Sequence, residues 1–142
     1  MKYVDASALL RILFAEPGLA VPLVDGERVV SSQLVEVEVA RAVDRERLLG
    51  NLTDTETATK RQELAALVAM LDLAAIDASV FARAKSPFAV NVRAIDAIHI
   101  ATAEVLAAEA DTESVEFWTH DHRQADAAVS RGLIVRGIAR SA

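Results

Sequence analysis

The sequence predicts an α/β fold: a five-stranded parallel sheet flanked by helices on both faces. Short apolar segments alternate with longer amphipathic segments along the whole chain, which is typical of a parallel sheet with crossover helices. The length of 142 residues suits one domain, and a composition of 53% hydrophobic and 25% charged residues is that of a globular protein. We therefore expect a single domain over residues 1–142.

The strands are predicted where short apolar runs lie between turn or helix signals. The first run ends at Asp5, and the others are bounded by residues such as Asp25-Gly26 and Gly132. The predicted strands are Lys2–Val4, Arg28–Ser31, Leu73–Ile76, Val115–Thr119 and Leu133–Val135.

The helices follow from apolar periodicity together with start and stop signals. Glu16-Pro17-Gly18 ends the first helix, and Thr53 with Glu56 forms a capping-box pattern that opens another. The predicted helices are Ala6–Ala15, a short helix ending at about Val24, Gln33–Leu48, Asp54–Leu71, a helix capped by Asp77 that runs to Lys85, Ala94–Ala110 and Asp121–Arg131.

The composition excludes several kinds of site. The chain has no cysteine, so disulfides, zinc–cysteine sites and thiol nucleophiles are ruled out. Neither a signal-peptide pattern nor an apolar run of about 20 residues is present, so we expect a cytoplasmic protein without membrane contact. The net charge of −6 disfavours a nucleic-acid partner, unless several acids are gathered at a metal site.

Two acids follow predicted strands. Asp5 comes directly after the first strand, and Asp121 stands just beyond the fourth. Ligand sites of open α/β sheets lie outside the carboxyl ends of the strands. Each acid is equally well explained as the N-cap of the helix that follows it, so position alone leaves both roles open.

Two further acids are predicted to face inward from helices. Glu38 shares its helix face with Leu34 and Ala42, although an ion pair with Arg41 or Arg45 would also explain it. Asp96 lies in an apolar segment in which His99 is the only other ionisable residue. A carboxylate in such a helix is costly unless it is paired or binds a metal.

Four acids of this kind favour a Mg²⁺ or Mn²⁺ site, because these ions prefer hard oxygen ligands. Such a site can polarise a phosphodiester and activate a water for attack. Histidine acid–base catalysis is the alternative, with His99, His120 and His122 available. Nothing in the sequence places two of these histidines together, and His99 is better explained as a core residue.

Four motifs resemble those of PIN domains, and they occur in the family's order over essentially the whole chain. The first and second are Val4-Asp5-Ala6-Ser7-Ala8-Leu9 and Ser31-Ser32 followed by Glu38-Val39-Ala40-Arg41-Ala42. The third and fourth are Ile95-Asp96-Ala97-Ile98-His99-Ile100-Ala101-Thr102-Ala103 and the segment that begins Thr119-His120-Asp121-His122. The chain length and the residues of these motifs are most similar to those of VapC-type toxins.

The resemblance implies a PIN domain over residues 1–142 and a Mg²⁺- or Mn²⁺-dependent endoribonuclease. It assigns catalysis and metal binding to Asp5, Glu38, Asp96 and Asp121, with secondary contacts from Ser7, Thr119 and Arg41. It further implies cleavage by a metal-activated water to 5′-phosphate and 3′-hydroxyl ends, a cognate VapB-type antitoxin as partner, and a homodimer.

Three alternatives stay open at this point. The chain could be a PIN-domain nuclease of RNA maturation or decay that has no antitoxin. It could be a catalytically inactive PIN domain that binds RNA or a protein partner, although all four acids are present. An unrelated phosphate-handling α/β protein is disfavoured, because both the G-x-x-x-x-G-K-[ST] and the G-x-G-x-x-G patterns are missing.

Overall fold

The computed structural model of the chain describes residues 1–110 and 114–139. Five strands form one sheet in this part of the chain. They are β1 (Lys2–Val4), β2 (Val29–Ser32), β3 (Asp72–Ala74), β4 (Glu116–Trp118) and β5 (Ile134–Arg136).

The sheet is parallel throughout, with the order β3-β2-β1-β4-β5. Tyr3 of β1 lies between Val30 of β2 and Phe117 of β4 in the strand register. The predicted five-stranded parallel sheet is therefore confirmed. Because β1 and β4 are neighbours at its centre, residues that follow these two strands meet at the same edge.

Six helices connect the strands within the described residues. They are α1 (Ala6–Leu13), α2 (Val35–Leu48), α3 (Asp54–Ala69), α4 (Ala78–Lys85), α5 (Ala94–Glu109) and α6 (His122–Ser130).

Alternate side chains of each central strand enter two different cores, as strand geometry requires. Val4 and Trp118 pack on one face with residues of α1, α2 and α3. Tyr3 and Phe117 pack on the other face with residues of α5 and α6. Helices thus cover both faces of the sheet, as expected for parallel strands.

Two predicted helix starts have the side-chain contacts that their sequences indicate. The Thr53 hydroxyl accepts from the Glu56 N–H, while the Glu56 carboxylate accepts from the Thr53 N–H, so the capping box is complete. Asp77 accepts a hydrogen bond from the Val80 N–H at 3.0 Å. Such caps typically stabilise a helix by about 1 kcal/mol each.

The predicted short helix ending near Val24 is wrong, because the segment between α1 and β2 has no helix. Gly18 has a φ of +116°, and Pro22 lacks the N–H that a helix interior needs. Val21 is nevertheless buried and joins the core on the α1 side of the sheet. The segment therefore packs as an ordered loop rather than as a helix.

The described residues include no helix that combines the length and the apolar character required to cross a bilayer.

Candidate metal and phosphodiester site

The candidate acids lie at the carboxyl edge of the sheet. Asp5 follows β1 directly and is the N-cap of α1, and Asp121 follows β4 and is the N-cap of α6. Asp96 lies in the first turn of α5. The N-terminal ends of three helices are therefore associated with these acids, and the positive end of a helix dipole favours a carboxylate.

Asp5 is held by three hydrogen-bond donors. Its Oδ1 accepts from the Ala8 N–H at 2.9 Å and from the Ser7 hydroxyl at 2.7 Å, while its Oδ2 accepts from the Thr119 hydroxyl at 2.5 Å. Asp5 can therefore serve both as the N-cap of α1 and as a site residue, the two roles that its position in the sequence left open. One carboxylate oxygen caps α1, and the other contacts Thr119, which follows β4. Ser7 and Thr119, for which the resemblance implied secondary contacts near the first and last acids, both contact Asp5.

The pKa of Asp5 is raised above its ordinary value of 3.8, and the largest cause is burial. His99 and the hydrogen bonds from Thr119, Ala8 and Ser7 oppose this rise but do not cancel it. A buried carboxylate with a raised pKa favours the approach of a cation, because a cation restores the charged form.

Asp96 and Asp121 share one arginine. Nε of Arg93 lies 2.9 Å from Oδ2 of Asp96, and Nη2 of the same guanidinium lies 3.3 Å from Oδ2 of Asp121. The Arg93 side chain is 68% exposed, whereas that of Asp96 is 9% exposed. The carboxylates of Asp96 and Asp121 therefore both contact the guanidinium of Arg93, which lies on the solvent side of the site.

Glu38 contacts His99, which also acts electrostatically on Asp5. Its Oε1 lies 2.5 Å from Nε2 of His99, and the other ring nitrogen of His99 lies 2.7 Å from the Tyr3 hydroxyl. The Tyr3 hydroxyl also accepts from the Ser32 N–H, and its ring stacks on Phe117 at 5.2 Å. This buried chain of contacts fixes the direction of the Glu38 carboxylate. Burial raises the pKa of Tyr3 well above 10.0, so the phenol stays neutral.

The four acids fit a divalent cation in donor type, since Mg²⁺ and Mn²⁺ prefer carboxylate oxygens. In residues 1–110 and 114–139, however, no three His, Asp or Glu side chains are close enough together to hold a metal ion as they stand. The Arg93 guanidinium already bridges Asp96 and Asp121. A metal ion that binds both of these acids would have to displace it.

Arg41 does not take the place that the sequence suggested. Its Nη1 lies 3.1 Å from Oδ2 of Asp44, and its side chain lines a groove between α2 and α3. No ion pair joins Arg41 to Glu38 among the described residues. The ion pair between Glu38 and Arg41 is therefore not formed, because the i,i+3 pair with Asp44 holds the guanidinium elsewhere.

The sequence does not predict the roles of Arg93 and Tyr3, and it favours a core position for His99 over acid–base catalysis. His99 is indeed buried, but it contacts Glu38 as well. The spacing of Arg93 and Asp96, three residues apart at a helix start, was the one available signal for the arginine. Tyr3 gave no signal, because an aromatic residue in a buried strand is ordinary core.

The comparisons with known proteins agree with this fold. A family model described as PIN domain matches residues 2–130. Ribonuclease VapC46 of Mycobacterium tuberculosis (strain ATCC 25618 / H37Rv) is 33% identical over 136 residues, which cover 94% of each chain. Ribonuclease VapC47 of Mycobacterium tuberculosis (strain CDC 1551 / Oshkosh) is 32% identical over 130 residues, covering 87% of this chain and 86% of the relative.

A solved structure shares the fold at low sequence identity. It is the crystal structure of VapBC2 from Rickettsia felis bound to a DNA fragment from their promoter. The TM-score is 0.63 at 11% identity, and the match covers 99% of this chain and 100% of the other.

Proposed function

Because the chain is a VapC-type member of the PIN-domain family, we propose that it is a Mg²⁺- or Mn²⁺-dependent endoribonuclease and the toxin of a toxin–antitoxin pair. The observation that carries the catalytic part is that the carboxylates of Asp96 and Asp121 both contact the guanidinium of Arg93. The buried Asp5 is linked to Asp121 through Thr119, whose hydroxyl contacts the Asp5 carboxylate and the Asp121 N–H.

Each acid has a defined role in this proposal. Asp96 and Asp121, now bridged by Arg93, would bind the cation together with Asp5 and Glu38. Thr119 and Ser7 hold Asp5 in one orientation, and His99 does the same for Glu38. When bound, the cation would act as a Lewis acid that polarises the phosphodiester and lowers the pKa of a water molecule.

The expected reaction is hydrolysis of an RNA phosphodiester. The oxygen of a water molecule bonds to phosphorus, the bond from phosphorus to the 3′ oxygen breaks, and the 3′ oxygen takes up a proton. The products are a 5′-phosphate and a 3′-hydroxyl. A histidine mechanism would instead use the ribose 2′-hydroxyl as nucleophile and leave a cyclic phosphate.

End-group analysis of cleaved RNA tests this chemistry. We expect 5′-phosphate and 3′-hydroxyl ends in Mg²⁺ or Mn²⁺, and no cleavage in EDTA or by Asp96→Asn. Asp126→Asn is the matched control, because it removes one exposed acid from α6 and should cleave normally. Cyclic phosphate ends in EDTA would overturn the proposed mechanism.

Expression in a bacterium tests the toxin role. We expect growth arrest when the protein is produced alone and recovery when a VapB-type antitoxin is produced with it. Growth arrest should require Asp96 but not Asp126. If the purified protein cleaves RNA but its production leaves growth normal, a nuclease of RNA maturation or decay would be favoured instead.

A further inference from the structure

A cavity of about 420 Å³ lies beside the acidic site and has no part in the contacts described so far. Its walls come from the end of α1, the following loop, the two histidines that flank Asp121, and the segment after β5. The lining residues are Arg11, Pro17, Gly18, Leu19, His120, His122, Gly137, Ile138 and Ala139.

Within residues 1–110 and 114–139, Arg11 is the only arginine or lysine that lines this cavity. None of the ion pairs among residues 1–110 and 114–139 includes it. Its Nε is buried without a hydrogen-bond partner in this part of the chain, and so is Nε2 of His120. An unpaired buried polar atom costs about 1–3 kcal/mol, so both side chains call for a partner that the described residues do not supply.

The backbone around Arg11 is built to hold this guanidinium in place. The Glu16 N–H donates to the Arg11 carbonyl at 3.0 Å, which closes α1 and turns the chain back over the arginine. Gly18 then lies against the guanidinium, and a Cβ at this position would overlap Nη1 of Arg11. With its φ of +116°, the position suits glycine alone.

The opposite wall is equally constrained. Nδ1 of His120 lies 2.8 Å from the Gly137 carbonyl oxygen. A Cβ on Gly137 would come within 2.6 Å of the Thr119 carbonyl oxygen and 3.1 Å of Cε1 of His120. Both walls therefore contain a glycine in the left-handed region, with φ of +116° at Gly18 and +90° at Gly137.

The cavity begins where the acidic site ends. The His120 N–H donates to the Ser7 hydroxyl at 2.8 Å, and the Ser7 hydroxyl donates to the Asp5 carboxylate. Asp121 is the next residue after His120. An RNA strand that crosses the acidic site would therefore pass His120, whose side chain lines the same cavity as Arg11.

We propose that this cavity is a subsite for a backbone phosphate next to the scissile one, and that Arg11 binds this phosphate. The inference rests on the proposed ribonuclease function and deepens it. A guanidinium suits this role, because it can donate two parallel hydrogen bonds to phosphate oxygens. It also supplies the positive charge that a polyanion needs beside a cluster of acids.

The test measures binding of a short single-stranded RNA to the cleavage-deficient Asp96→Asn protein in Mg²⁺ by fluorescence anisotropy. We expect Arg11→Gln to raise Kd about tenfold, the scale of one charge-assisted contact. The slope of log K against log salt should fall by about 0.7, as for one lost phosphate contact on a single strand. Arg83→Gln is the matched control, since Arg83 is also a last-turn arginine of an eight-residue helix.

A second measurement uses the same oligonucleotide with one neutral methylphosphonate linkage at each position in turn. The Asp96→Asn protein should lose affinity at a linkage next to the cleaved one, and Arg11→Gln in that background should be insensitive there. This scan of the Asp96→Asn protein needs no change at Arg11, so it stands even if Arg11→Gln fails to fold.

Equal effects of Arg11→Gln and Arg83→Gln would overturn the subsite and leave the ribonuclease proposal intact. An Asp96→Asn protein that tolerates a neutral linkage at every neighbouring position would do the same. If the wild type neither cleaves RNA nor binds it, the proposed function and the subsite are both wrong.

Discussion

Replacing Arg93 by glutamine tests whether Asp96 and Asp121 form a cation site. The arginine occupies the space between their Oδ2 atoms, at 2.9 and 3.3 Å. A divalent cation that binds these oxygens must compete with the guanidinium. Removing the arginine should therefore strengthen metal binding, even though it removes two ion pairs from the metal-free protein.

The magnitude follows from the exposure of the arginine. An exposed ion pair contributes about 0.2–1 kcal/mol, and the Arg93 side chain is 68% exposed. Two pairs on one guanidinium should together stabilise the metal-free protein by about 1 kcal/mol. The metal-bound protein has lost these pairs already, so the Mn²⁺ dissociation constant of Arg93→Gln should be about fivefold lower than that of the wild type.

Calorimetric titration with Mn²⁺ measures the affinity, and melting curves in EDTA and in Mn²⁺ measure the stability. Arg28→Gln is the matched control, because Nε of Arg28, the residue before β2, lies 2.9 Å from Oδ2 of Asp72 in an exposed ion pair. The control should lose stability in EDTA and keep the wild-type Mn²⁺ affinity. If Mn²⁺ binds Arg93→Gln no more tightly than the wild type, Arg93 does not compete with a metal and the cation site is misplaced.

Two further expectations follow from the site, and a third follows from the family resemblance. Because the pKa of Asp5 is raised in the folded protein, that state holds its proton more tightly than the unfolded chain. The free energy of unfolding in EDTA should therefore fall as pH rises from about 3.8 through the raised pKa, and Asp5→Asn should flatten this slope. Tyr3→Phe leaves the Ser32 N–H and a His99 nitrogen without a partner, so we expect urea unfolding to show a loss of about 1–2 kcal/mol in stability. We also expect a lower kcat at unchanged KM. An unchanged kcat in Tyr3→Phe, while Asp5→Asn lowers kcat, would contradict the positioning role of Tyr3. Light scattering at micromolar concentration should show a homodimer, and a stable monomer would count against that prediction.

Local signals were sufficient for much of the fold. The apolar runs that became β1 and β4 are each followed by an acid or a hydroxyl residue, so the sequence predicted both the sheet and the edge at which Asp5 and Asp121 lie. The capping box at Thr53 and Glu56 marked the start of α3 for the same reason: both partners are three residues apart. Interactions within one turn or one strand depend on sequence spacing alone.

Contacts between distant segments could not be predicted in this way. Arg93 pairs with Asp121, which is 28 residues away along the chain, and His99 contacts Glu38 across 61 residues. An arginine before a helix and a histidine in an apolar helix are ordinary features when each is considered alone. Their roles emerge only when the parallel sheet brings the ends of β1 and β4 beside α2 and α5.

The same arrangement explains how the chain can fold with its acids gathered before any metal binds. Asp5 and Asp121 cap α1 and α6, and Asp96 lies in the first turn of α5, so each carboxylate is stabilised by the N–H groups and dipole of a helix start. This stabilisation is incomplete, because burial still raises the pKa of Asp5 and Arg93 is drawn in from the solvent side to neutralise the other two acids. The acids can thus gather without a metal, and the raised pKa of Asp5 leaves one carboxylate that the cation we propose would stabilise in its charged form.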